Sequence, residues 1–336
     1  MKIAINGLGR IGKLVFRHLV TEGLEKNIGL VNELKGSIQE NIYQLLFDSI
    51  HGNWSQQLSH EEDTIKIKKH SIRFTNSADI DTIPLRENTI DLAIDCTGAN
   101  RTVMKISPYF KNGVKRALIS APVHDNRALN LVYGVNSNLY ASTDSNIITG
   151  ASCTTNCLAP VVKVLEDNIG IKHGSITSIH NITNTQTLLD RPGNNIRRSR
   201  SAFNSLIPTT TGSATAISLI YPKLSGKLDG HAVRVPVLNS SLTDCVFEMQ
   251  KSVTVEEVND LFEEASETYL KDILAFEKRP LVSNDFVNND HSAVIDGLST
   301  MVINKTQLKV YAWYDNEWAY SKRLVDIAKM IISRNE

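Results

Sequence analysis

The segment SCTTNC, residues 152–157, contains the side chains from which chemistry is most readily argued. Cys153 and Cys157 flank two threonines and an asparagine, which leaves three interpretations: half of a zinc site, a redox pair, or one reactive thiol beside a structural one. A zinc site needs a second pair of ligands, and the other cysteines and histidines have no suitably spaced partner. A C-x-x-C redox pair has two intervening residues, whereas this segment has three. The spacing therefore favours a single reactive thiol, and no metal is expected.

Cys153 is the stronger candidate because it falls at a predicted strand-to-helix junction. The run NIITGAS (146–152) is typical of a strand, and apolar residues then recur at helical spacing with Cys157 on the apolar face. The N-terminus of a helix has unpaired N–H groups and a positive dipole end, so we expect the pKa of Cys153 to fall. The same N–H groups can stabilise an oxyanion. Cys157 is expected to be a buried neighbour.

A base and a set of anion-binding groups follow along the chain. The strand-like run GSITSIH ends at His180 before a polar loop, a position from which an imidazole can meet a thiol. Arginines are then concentrated at 197–200, a threonine-glycine run occupies 209–212, and Arg234 lies in the run HAVRVP. Guanidinium groups, hydroxyls and glycine N–H groups are the usual donors to phosphate. An anionic substrate is therefore predicted.

The first part of the chain has the pattern of a dinucleotide-binding fold. The apolar run KIAING leads into G-x-G-x-x-G at residues 7–12, and a helical pattern follows. A second strand-like run, IGLVNE, ends at Glu33, which is placed to accept the ribose hydroxyls. Glycines let the backbone approach a pyrophosphate, and the helix N-terminus favours its negative charge. Ser120, at the end of a later strand-like run, is a further candidate for cofactor contact.

Composition limits the classes of protein that remain. A length of 336 residues is comfortable for two domains, and zero formal net charge does not favour nucleic acid or an anionic membrane as partner. Four cysteines are too few for a disulfide scaffold. A strand-like run begins almost at the first residue, and no apolar run approaches the length of a membrane span. We expect a cytoplasmic protein with reduced thiols and with no membrane or nucleic-acid partner.

Five segments together resemble the phosphorylating glyceraldehyde-3-phosphate dehydrogenase family. They are, in order, INGLGRIGKLVFR, ASCTTNCLAP, SLIPTTTGSA, GHAVRVP and WYDNEW, and the resemblance covers essentially the whole chain. It implies an α/β fold with a Rossmann dinucleotide-binding domain and an α+β catalytic domain that has a mixed sheet. The expected boundaries are 1–151 for the Rossmann domain, completed by a C-terminal helix at 317–336, and 152–316 for the catalytic domain. It also implies a homotetramer.

The resemblance extends the roles residue by residue. It makes Cys153 the nucleophile and His180 the base. With the glycine motif, the expected NAD-binding residues are Gly7, Gly9, Arg10, Ile11, Gly12, Glu33, Ser120 and Asn316. The expected residues for the attacking oxyanion are Ser152, Thr154, Thr211 and Gly212. The expected residues for the substrate's own phosphate are Thr183 and Arg234, with Arg198 in the same phosphate region.

Some positions depart from the common family pattern. Glu33 stands where the family usually has Asp, Leu8 replaces the usual Phe, and Arg191 leaves some tolerance of NADP open. The segments VNELKG, FDSIHGNW, TNTQT and NSSLTDCVFE look most like the variant encoded beside arsenic-resistance genes, which is thought to use arsenate in place of phosphate.

The expected reaction is the NAD-dependent oxidation of glyceraldehyde 3-phosphate through a cysteine thioester, with phosphate or arsenate as the acceptor. The product would be 1,3-bisphosphoglycerate or 1-arseno-3-phosphoglycerate. Two alternatives stay open: an erythrose-4-phosphate dehydrogenase, which shares the Asn-Glu-Leu run, and a non-catalytic nucleotide- or RNA-binding protein on the same fold.

Overall fold

The chain forms two compact units. The computed structural model describes residues 1–142, 145–193 and 195–334. The first unit comprises residues 1–133, 137–152 and the C-terminal part from 320. The second unit comprises residues 134–136 and 153–319. The division therefore falls one residue after the predicted boundary at 151 and three residues after the predicted return at 317.

The first unit is built on a largely parallel sheet. Its strands are β1 Ile3–Asn6, β2 Ile28–Asn32, β3 Phe47–Asp48, β4 Gly52–Asn53, β5 Leu58–Glu61, β6 Thr64–Ile67, β7 His70–Thr75, β8 Leu92–Asp95, β9 Arg116–Ile119, β10 Ala128–Asn130 and β11 Ile147–Thr149. Its first helices are α1 Arg10–Thr21, α2 Ile38–Leu46 and α3 Val103–Lys111. Within the described residues the sheet order is β10-β11-β9-β8-β1-β2-β7-β6-β5, and β3 pairs with β4 separately. The strands from β10 to β7 pair in parallel, whereas β6 and β5 extend the sheet by antiparallel pairing.

The centre of this sheet explains where a ligand can bind. All four residues of β1 are buried, as expected for a parallel strand covered on both faces. Strand β2 lies on one side of β1 and β8 on the other, so the connections leave β1 in opposite directions. The carboxyl end of β1 is thus a topological switch point, where doubly wound sheets bind their ligands.

The second unit has a mixed sheet. Its strands are β12 Ile171–His180, β13 Ile207–Thr210, β14 Leu228–Arg234, β15 Ser241–Met249, β16 Leu274–Glu277, β17 Ala293–Asp296, β18 Met301–Ile303 and β19 Gln307–Tyr314, and its helices are α4 Cys153–Asn168, α5 Ser213–Ile220 and α6 Val255–Glu267. The order among the described strands is β13-β14-β12-β15-β19-β17-β16, with β18 on β19. Strands β12 and β14 are parallel, whereas β12 and β15 are antiparallel. The predicted fold class, a Rossmann domain plus a catalytic domain with a mixed sheet, is confirmed.

The last helix, α7 Trp318–Ser333, runs in the first unit from residue 320 onward. Within that unit the Tyr320 hydroxyl donates to the carbonyl oxygen of Ala151 at 3.1 Å, and Ser321 donates to the carbonyl oxygen of Ile11 at 3.4 Å. The predicted helix extended to 336, and its last two residues lie outside the described part of the chain.

Candidate active site

The candidate nucleophile and base meet in the second unit. Cys153 is the first residue of α4, and His180 is the last residue of β12. The Sγ atom of Cys153 lies 3.8 Å from Nε2 of His180 and 3.9 Å from the hydroxyl of Thr154. Cys153 is partly exposed, whereas His180 is only 5% exposed. The residue that carries the candidate nucleophile is thus partly exposed, whereas the imidazole beside its sulfur is buried.

The turn that leads into α4 is conformationally unusual. Ala151 has a φ of +52°, in the left-handed region that side chains other than glycine rarely adopt. Such a conformation costs about 1 kcal/mol and persists only where surrounding contacts fix it. The Ala151 N–H donates to the Thr149 hydroxyl at 3.1 Å. This sharp turn allows the helix to begin at Cys153 immediately after strand β11.

The second cysteine is structural in this arrangement. Cys157 is fully buried, and its thiol donates to the carbonyl oxygen of Ala312 at 3.7 Å. Its sulfur also accepts from the hydroxyl of Thr243 at 3.6 Å. Burial raises the pKa of Cys157 to about 12, so it carries no thiolate at neutral pH. The predicted burial of Cys157 is confirmed.

The pKa of Cys153 does not follow the prediction from helix position. Desolvation raises the pKa of this thiol above its usual value. The Thr154 hydroxyl and the positive charge of Arg234 oppose that rise without overcoming it. The expected fall in pKa is therefore wrong, because burial of the thiol at the start of α4 outweighs the favourable groups.

His180 is held as a neutral imidazole. Burial, and then the positive charge of Arg234, lower the pKa of His180 to about 3, while hydrogen bonding to Asn181 opposes the shift. Its Nδ1 atom lies 2.5 Å from Nη1 of Arg234 and 2.9 Å from the carbonyl oxygen of Asn181. An arginine can only donate, so contact with Arg234 requires a bare Nδ1 and puts the ring hydrogen on Nε2, towards Cys153. Donation to Asn181 requires the opposite tautomer.

Arg234 reaches His180 because two parallel strands end together. His180 and Arg234 are register partners at the carboxyl ends of β12 and β14. Arg234 also donates from Nη1 to the carbonyl oxygen of Asn181 at 3.1 Å. Its Nε atom is buried and has no hydrogen-bond partner among the described residues. An unsatisfied cationic donor beside the thiol indicates an anion-binding position.

Sequence reasoning missed a tyrosine beneath this pair. The Tyr314 hydroxyl lies 2.9 Å from the hydroxyl of Thr154 and 3.0 Å from that of Ser178. Its ring meets the His180 ring edge-on at 6.2 Å between centroids. Tyr314 belongs to the WYDNEW segment, whose unusual aromatic content was the available signal. Its contacts tie the residue after the thiol to the strand that carries the base.

The other predicted anion-binding residues of this unit are distributed over three loops. Arg198 donates from Nε to the Thr209 hydroxyl at 3.0 Å. Thr183 contacts Thr185, and Thr211 contacts Ser213, each through hydroxyl groups.

Two predicted positions stand at the ends of elements. Gly212 directly precedes α5, as its N-cap residue. Ser152 is half-buried and is counted in the first unit, directly before α4. The role of these residues towards an oxyanion stays a prediction.

The first unit contains a cleft at its switch point. The cleft has a volume of about 610 Å³, and its lining includes Gly7, Gly9 and Glu33 of the predicted cofactor residues. Asn6, Asn32 and Thr97, at the ends of β1, β2 and β8, add polar groups. A cleft of this size at the carboxyl ends of parallel strands suits a dinucleotide.

The three glycines of the motif are needed for different structural reasons. Gly7 has a φ of +93°, and a Cβ there would lie 3.0 Å from the Thr97 nitrogen. A Cβ on Gly12 would lie 1.8 Å from the Gly7 carbonyl oxygen, which no side chain can tolerate. A Cβ on Gly9 would meet no atom within 4 Å. The fold itself therefore requires Gly7 and Gly12, whereas Gly9 leaves open space that a bound pyrophosphate can use.

Glu33 is already organised as an acceptor. Its two carboxylate oxygens accept the Leu8 N–H at 2.6 Å and the Lys35 N–H at 3.0 Å. The guanidinium of Arg10 is paired with Asp48, at 2.5 Å and 3.0 Å. The Arg10 side chain thus joins α1 to β3, and the contact of Arg10 with the cofactor stays a prediction.

The last two predicted cofactor residues lie in different units. Ser120 follows β9 in the first unit, where its hydroxyl contacts the Cys96 thiol. Burial raises the pKa of Cys96, so this thiol is packed rather than reactive. Asn316 follows β19 in the second unit, and its side-chain oxygen accepts from the Ser241 hydroxyl at 3.2 Å. Ile11 lies in the first turn of α1.

Two features are absent from the described residues. No group of three or more histidine, cysteine, aspartate or glutamate side chains among them is arranged to hold a metal ion. In the same part of the chain, no helix combines the length and apolarity that a bilayer crossing requires.

Comparison with known proteins gives consistent matches over nearly the whole chain. The family model described as "Glyceraldehyde 3-phosphate dehydrogenase, NAD binding domain" matches residues 1–103, and the model of the corresponding C-terminal domain matches residues 152–316. Glyceraldehyde-3-phosphate dehydrogenase 3 of Nostoc sp. is 49% identical over 98% of this chain and 98% of its own. Glyceraldehyde-3-phosphate dehydrogenase 2 of Bacillus subtilis is 42% identical over 99% of this chain and 97% of its own. The enzyme of the same name from Streptomyces avermitilis is 40% identical over 98% of both chains.

Proposed function

Because the chain belongs to the glyceraldehyde-3-phosphate dehydrogenase family and is an NAD-dependent oxidoreductase, we propose that it oxidises glyceraldehyde 3-phosphate through a thioester on Cys153. The observation that carries this proposal is the placement of Cys153, a partly exposed residue, at the start of α4 with its Sγ atom 3.8 Å from Nε2 of His180. NAD, when bound, supplies the acceptor for the hydride. In the first unit, the glycine turn, the cleft and Glu33 support its binding. Asn316, in the second unit, is proposed as a further contact.

Cys153 begins the reaction by adding its sulfur to the aldehyde carbon: the C–S bond forms, the carbonyl π bond breaks, and the thiol proton passes to the former carbonyl oxygen, which gives a hemithioacetal. In one tautomer, Nδ1 of His180 accepts a hydrogen bond from Arg234 and the ring hydrogen is on Nε2. This Nε2–H points to Cys153 and stabilises negative charge on its Sγ atom. The tautomer whose Nδ1–H donates to Asn181 leaves Nε2 bare, and that nitrogen can take the hydroxyl proton as the hemithioacetal loses hydride. The two contacts at Nδ1 thus support two successive roles of one neutral imidazole.

The product of this step is a thioester between Cys153 and the acyl group. An oxyanion then attacks the thioester carbon, the C–S bond breaks, and the thiolate is regenerated. Backbone N–H groups at the start of α4 stabilise the negative charge that develops on the acyl oxygen. Thr154, held by Tyr314, keeps this first turn in place.

Arg234 is proposed to bind the anionic end of the substrate. Its buried, unpartnered Nε atom gives a cationic donor whose desolvation is compensated when an anion binds. Arg198, Thr183, Thr211 and Gly212 are the further proposed donors for the substrate phosphate and the attacking oxyanion. Replacing Arg234 with Met should raise KM for glyceraldehyde 3-phosphate.

The assignment of the nucleophile is tested by paired cysteine variants. Cys153→Ser should abolish NADH formation from glyceraldehyde 3-phosphate, whereas Cys157→Ser should retain most of it. Iodoacetamide labelling followed by peptide mapping should mark Cys153 first, because burial raises the pKa of the Cys157 thiol to about 12. Preferential labelling of Cys157, or an active Cys153→Ser variant, would refute the assignment.

The choice of oxyanion is a finer proposal. Resemblance in four segments supports arsenate as the physiological acceptor, giving 1-arseno-3-phosphoglycerate in place of 1,3-bisphosphoglycerate. The ratio of kcat/KM for arsenate to that for phosphate, measured at saturating NAD and aldehyde, tests it. A ratio above one supports the arsenate role, and a strong preference for phosphate contradicts it.

The same assay separates the remaining alternatives for function. Erythrose 4-phosphate, tested beside glyceraldehyde 3-phosphate, should be the poorer substrate. An absence of aldehyde-dependent NADH formation with either substrate would favour a non-catalytic binding protein.

Assembly as a homotetramer and a cytoplasmic location are further proposals. Several large apolar side chains on the loop between β12 and β13 are more than half exposed in the single chain, which supports burial against other copies. They are Leu188, Leu189, Ile196, Phe203 and Leu206. Light scattering coupled to size-exclusion chromatography should give the mass of four chains, and a monomeric mass would refute the assembly.

A further inference from the structure

Side-chain hydrogen bonds join the last residues of four adjacent strands of the first unit. The strands β7, β2, β1 and β8 are neighbours in this order, and their last residues pair in register. A hydroxyl of α3 completes the set, because it lies 2.6 Å from Nδ2 of Asn6 and 2.8 Å from the carboxylate of Asp95. The strand-end network consists of Thr75, Asn32, Asn6, Tyr109 and Asp95.

Backbone groups fix the direction of the bonds in this network. The N–H of Ser77 donates to Oδ1 of Asn32 at 2.8 Å, and the Ser77 carbonyl oxygen accepts from Nδ2 at 3.0 Å, so the Asn32 amide cannot turn over. Nδ2 of Asn32 then donates to Oδ1 of Asn6 at 2.8 Å, which directs Nδ2 of Asn6 to Tyr109. The Tyr109 hydroxyl accepts this bond and donates its one hydrogen to Asp95. Each bond from Asn32 to Asp95 thus has only one possible donor.

The Tyr109 hydroxyl matters most for Asn6. Tyr109 is 0% exposed and Asn6 is 6% exposed, and this hydroxyl is the only partner of the Asn6 Nδ2 atom among the described residues. Asp95 also accepts from the N–H and hydroxyl of Thr97 and from Nδ2 of Asn100, so it keeps donors if the phenol is removed. Burial, followed by the charge of Asp95, raises the pKa of Tyr109 well above its usual value, so the phenol keeps its hydrogen.

The strand-end network forms part of the wall of the cleft. Asn6 and Asn32 line the cleft, and so do Gly7 and Glu33, the residues that directly follow them. The N–H of Gly7 donates to the carbonyl oxygen of Asn32 at 2.7 Å, and the N–H of Glu33 donates to that of Thr75 at 3.0 Å. The network therefore sets the spacing of the strand ends from which the glycine turn and the Glu33 carboxylate extend.

We propose that Tyr109 is a positioning residue for the dinucleotide, whose hydroxyl acts through the two asparagines to hold the glycine turn and Glu33 in the arrangement that binds NAD. The inference rests on the proposed placement of NAD in this cleft. Without the hydroxyl, Nδ2 of Asn6 recovers a partner only if Asn6 moves or a water enters, and the free protein relaxes in this way. Binding must reverse the relaxation, so the affinity for NAD falls although Tyr109 does not line the cleft.

ADP-ribose is the probe, because it contains the adenosine and the pyrophosphate of NAD and lacks the nicotinamide. Its dissociation constant is measured by calorimetry on the full chain. Tyr109→Phe keeps the ring and should raise this constant about three- to tenfold, as for the loss of one buried hydrogen bond. The dissociation constant of NAD should rise by the same factor, whereas kcat and KM for glyceraldehyde 3-phosphate should stay near their wild-type values. A loss of stability alone would lower the urea midpoint without changing ADP-ribose binding by the folded protein.

Two further variants provide a graded comparison and a control. Thr75→Val removes the bond from the Thr75 hydroxyl to Oδ1 of Asn32, but that oxygen still accepts from the Ser77 N–H. It should therefore raise the dissociation constant of ADP-ribose by only about twofold. Tyr140 is 3% exposed in the same unit and does not line the cleft, so Tyr140→Phe should keep the wild-type constant.

An unchanged dissociation constant of ADP-ribose in Tyr109→Phe, or an equal rise in Tyr140→Phe, would overturn the proposal. If Tyr109→Phe does not fold, Thr75→Val decides, and an unchanged constant in that variant overturns it. A wild type that does not bind ADP-ribose would also overturn it, together with the placement of the cofactor. Binding of ADP-ribose without oxidation of glyceraldehyde 3-phosphate would refute the proposed function alone.

Discussion

Replacing Arg234 with Met should raise the pKa of His180. The guanidinium lies 2.5 Å from Nδ1 of His180, and its charge, after burial, is the main reason that the pKa of His180 falls to about 3. Two unit charges roughly 4 Å apart interact by about 4 kcal/mol at an effective dielectric constant of about 20, which corresponds to an upper bound of about three pKa units. Because burial is the larger cause and remains in the variant, we expect a rise of about one to two units.

The assay is a proton NMR titration of the His180 ring, assigned by the absence of its signal in His180→Asn. The signal should move between about pH 4 and 5 in Arg234→Met, whereas the wild-type ring should stay neutral through that range. Met has a similar length and no charge, and the Arg234 Nε that it replaces had no partner among the described residues. Removing the positive charge should also raise the pKa of Cys153, since Arg234 lowers it, and alkylation of the variant should therefore slow at neutral pH.

Arg197→Met provides the control for this titration. Arg197 is exposed, and among the described residues its side chain bonds only the Pro208 carbonyl oxygen, at 3.5 Å, so its loss should leave the pKa of His180 unchanged. An unchanged His180 titration in Arg234→Met, or an equal shift in both variants, would refute the argument that the neighbouring guanidinium keeps the imidazole neutral.

Three further predictions concern stability and cofactor choice. Ser240 is buried, has a φ of +62°, and its hydroxyl has no hydrogen-bond partner among the described residues. Ser240→Gly should therefore raise the free energy of unfolding, measured by urea denaturation, by about 0.5–1 kcal/mol. Ser292→Gly, the control, should lower it. The pKa of His180 is about 6.5 in the unfolded chain and about 3 in the folded one, so the free energy of unfolding should fall on acidification through that range by about 1.4 kcal/mol per pH unit. Urea denaturation of His180→Gln should show a shallower dependence of this free energy on pH. An identical dependence would contradict the lowered pKa of His180. NAD should be preferred over NADP by a factor on the order of 10², because the carboxylate of Glu33 would face the added phosphate of NADP. Steady-state kinetics of Glu33→Ala should show a smaller preference for NAD. Equal efficiency of the wild type with both cofactors would contradict the role of Glu33 and point to Arg191 instead.

The sequence alone predicted the features that depend on short stretches of the chain. The glycine motif between a strand and a helix predicted the Rossmann unit, because only glycine satisfies the positive φ of Gly7 and the contact of Gly12 with the Gly7 carbonyl. Helical periodicity separated the two cysteines, since residues four apart lie one turn from each other and only Cys153 falls at the helix start. Both results follow from backbone geometry within one or two elements.

Tertiary structure alone decided the electrostatics of the site. The pKa of Cys153 depends on burial as well as on helix position, and burial is set by the strands and side chains that pack around α4. The contact between His180 and Arg234 joins residues 54 positions apart, and it exists because β12 and β14 end in register. Tyr314 and Ser241 reach the site from still more distant strands. Such contacts depend on which strands are neighbours in the sheet, a property of the folded chain that local sequence patterns do not contain.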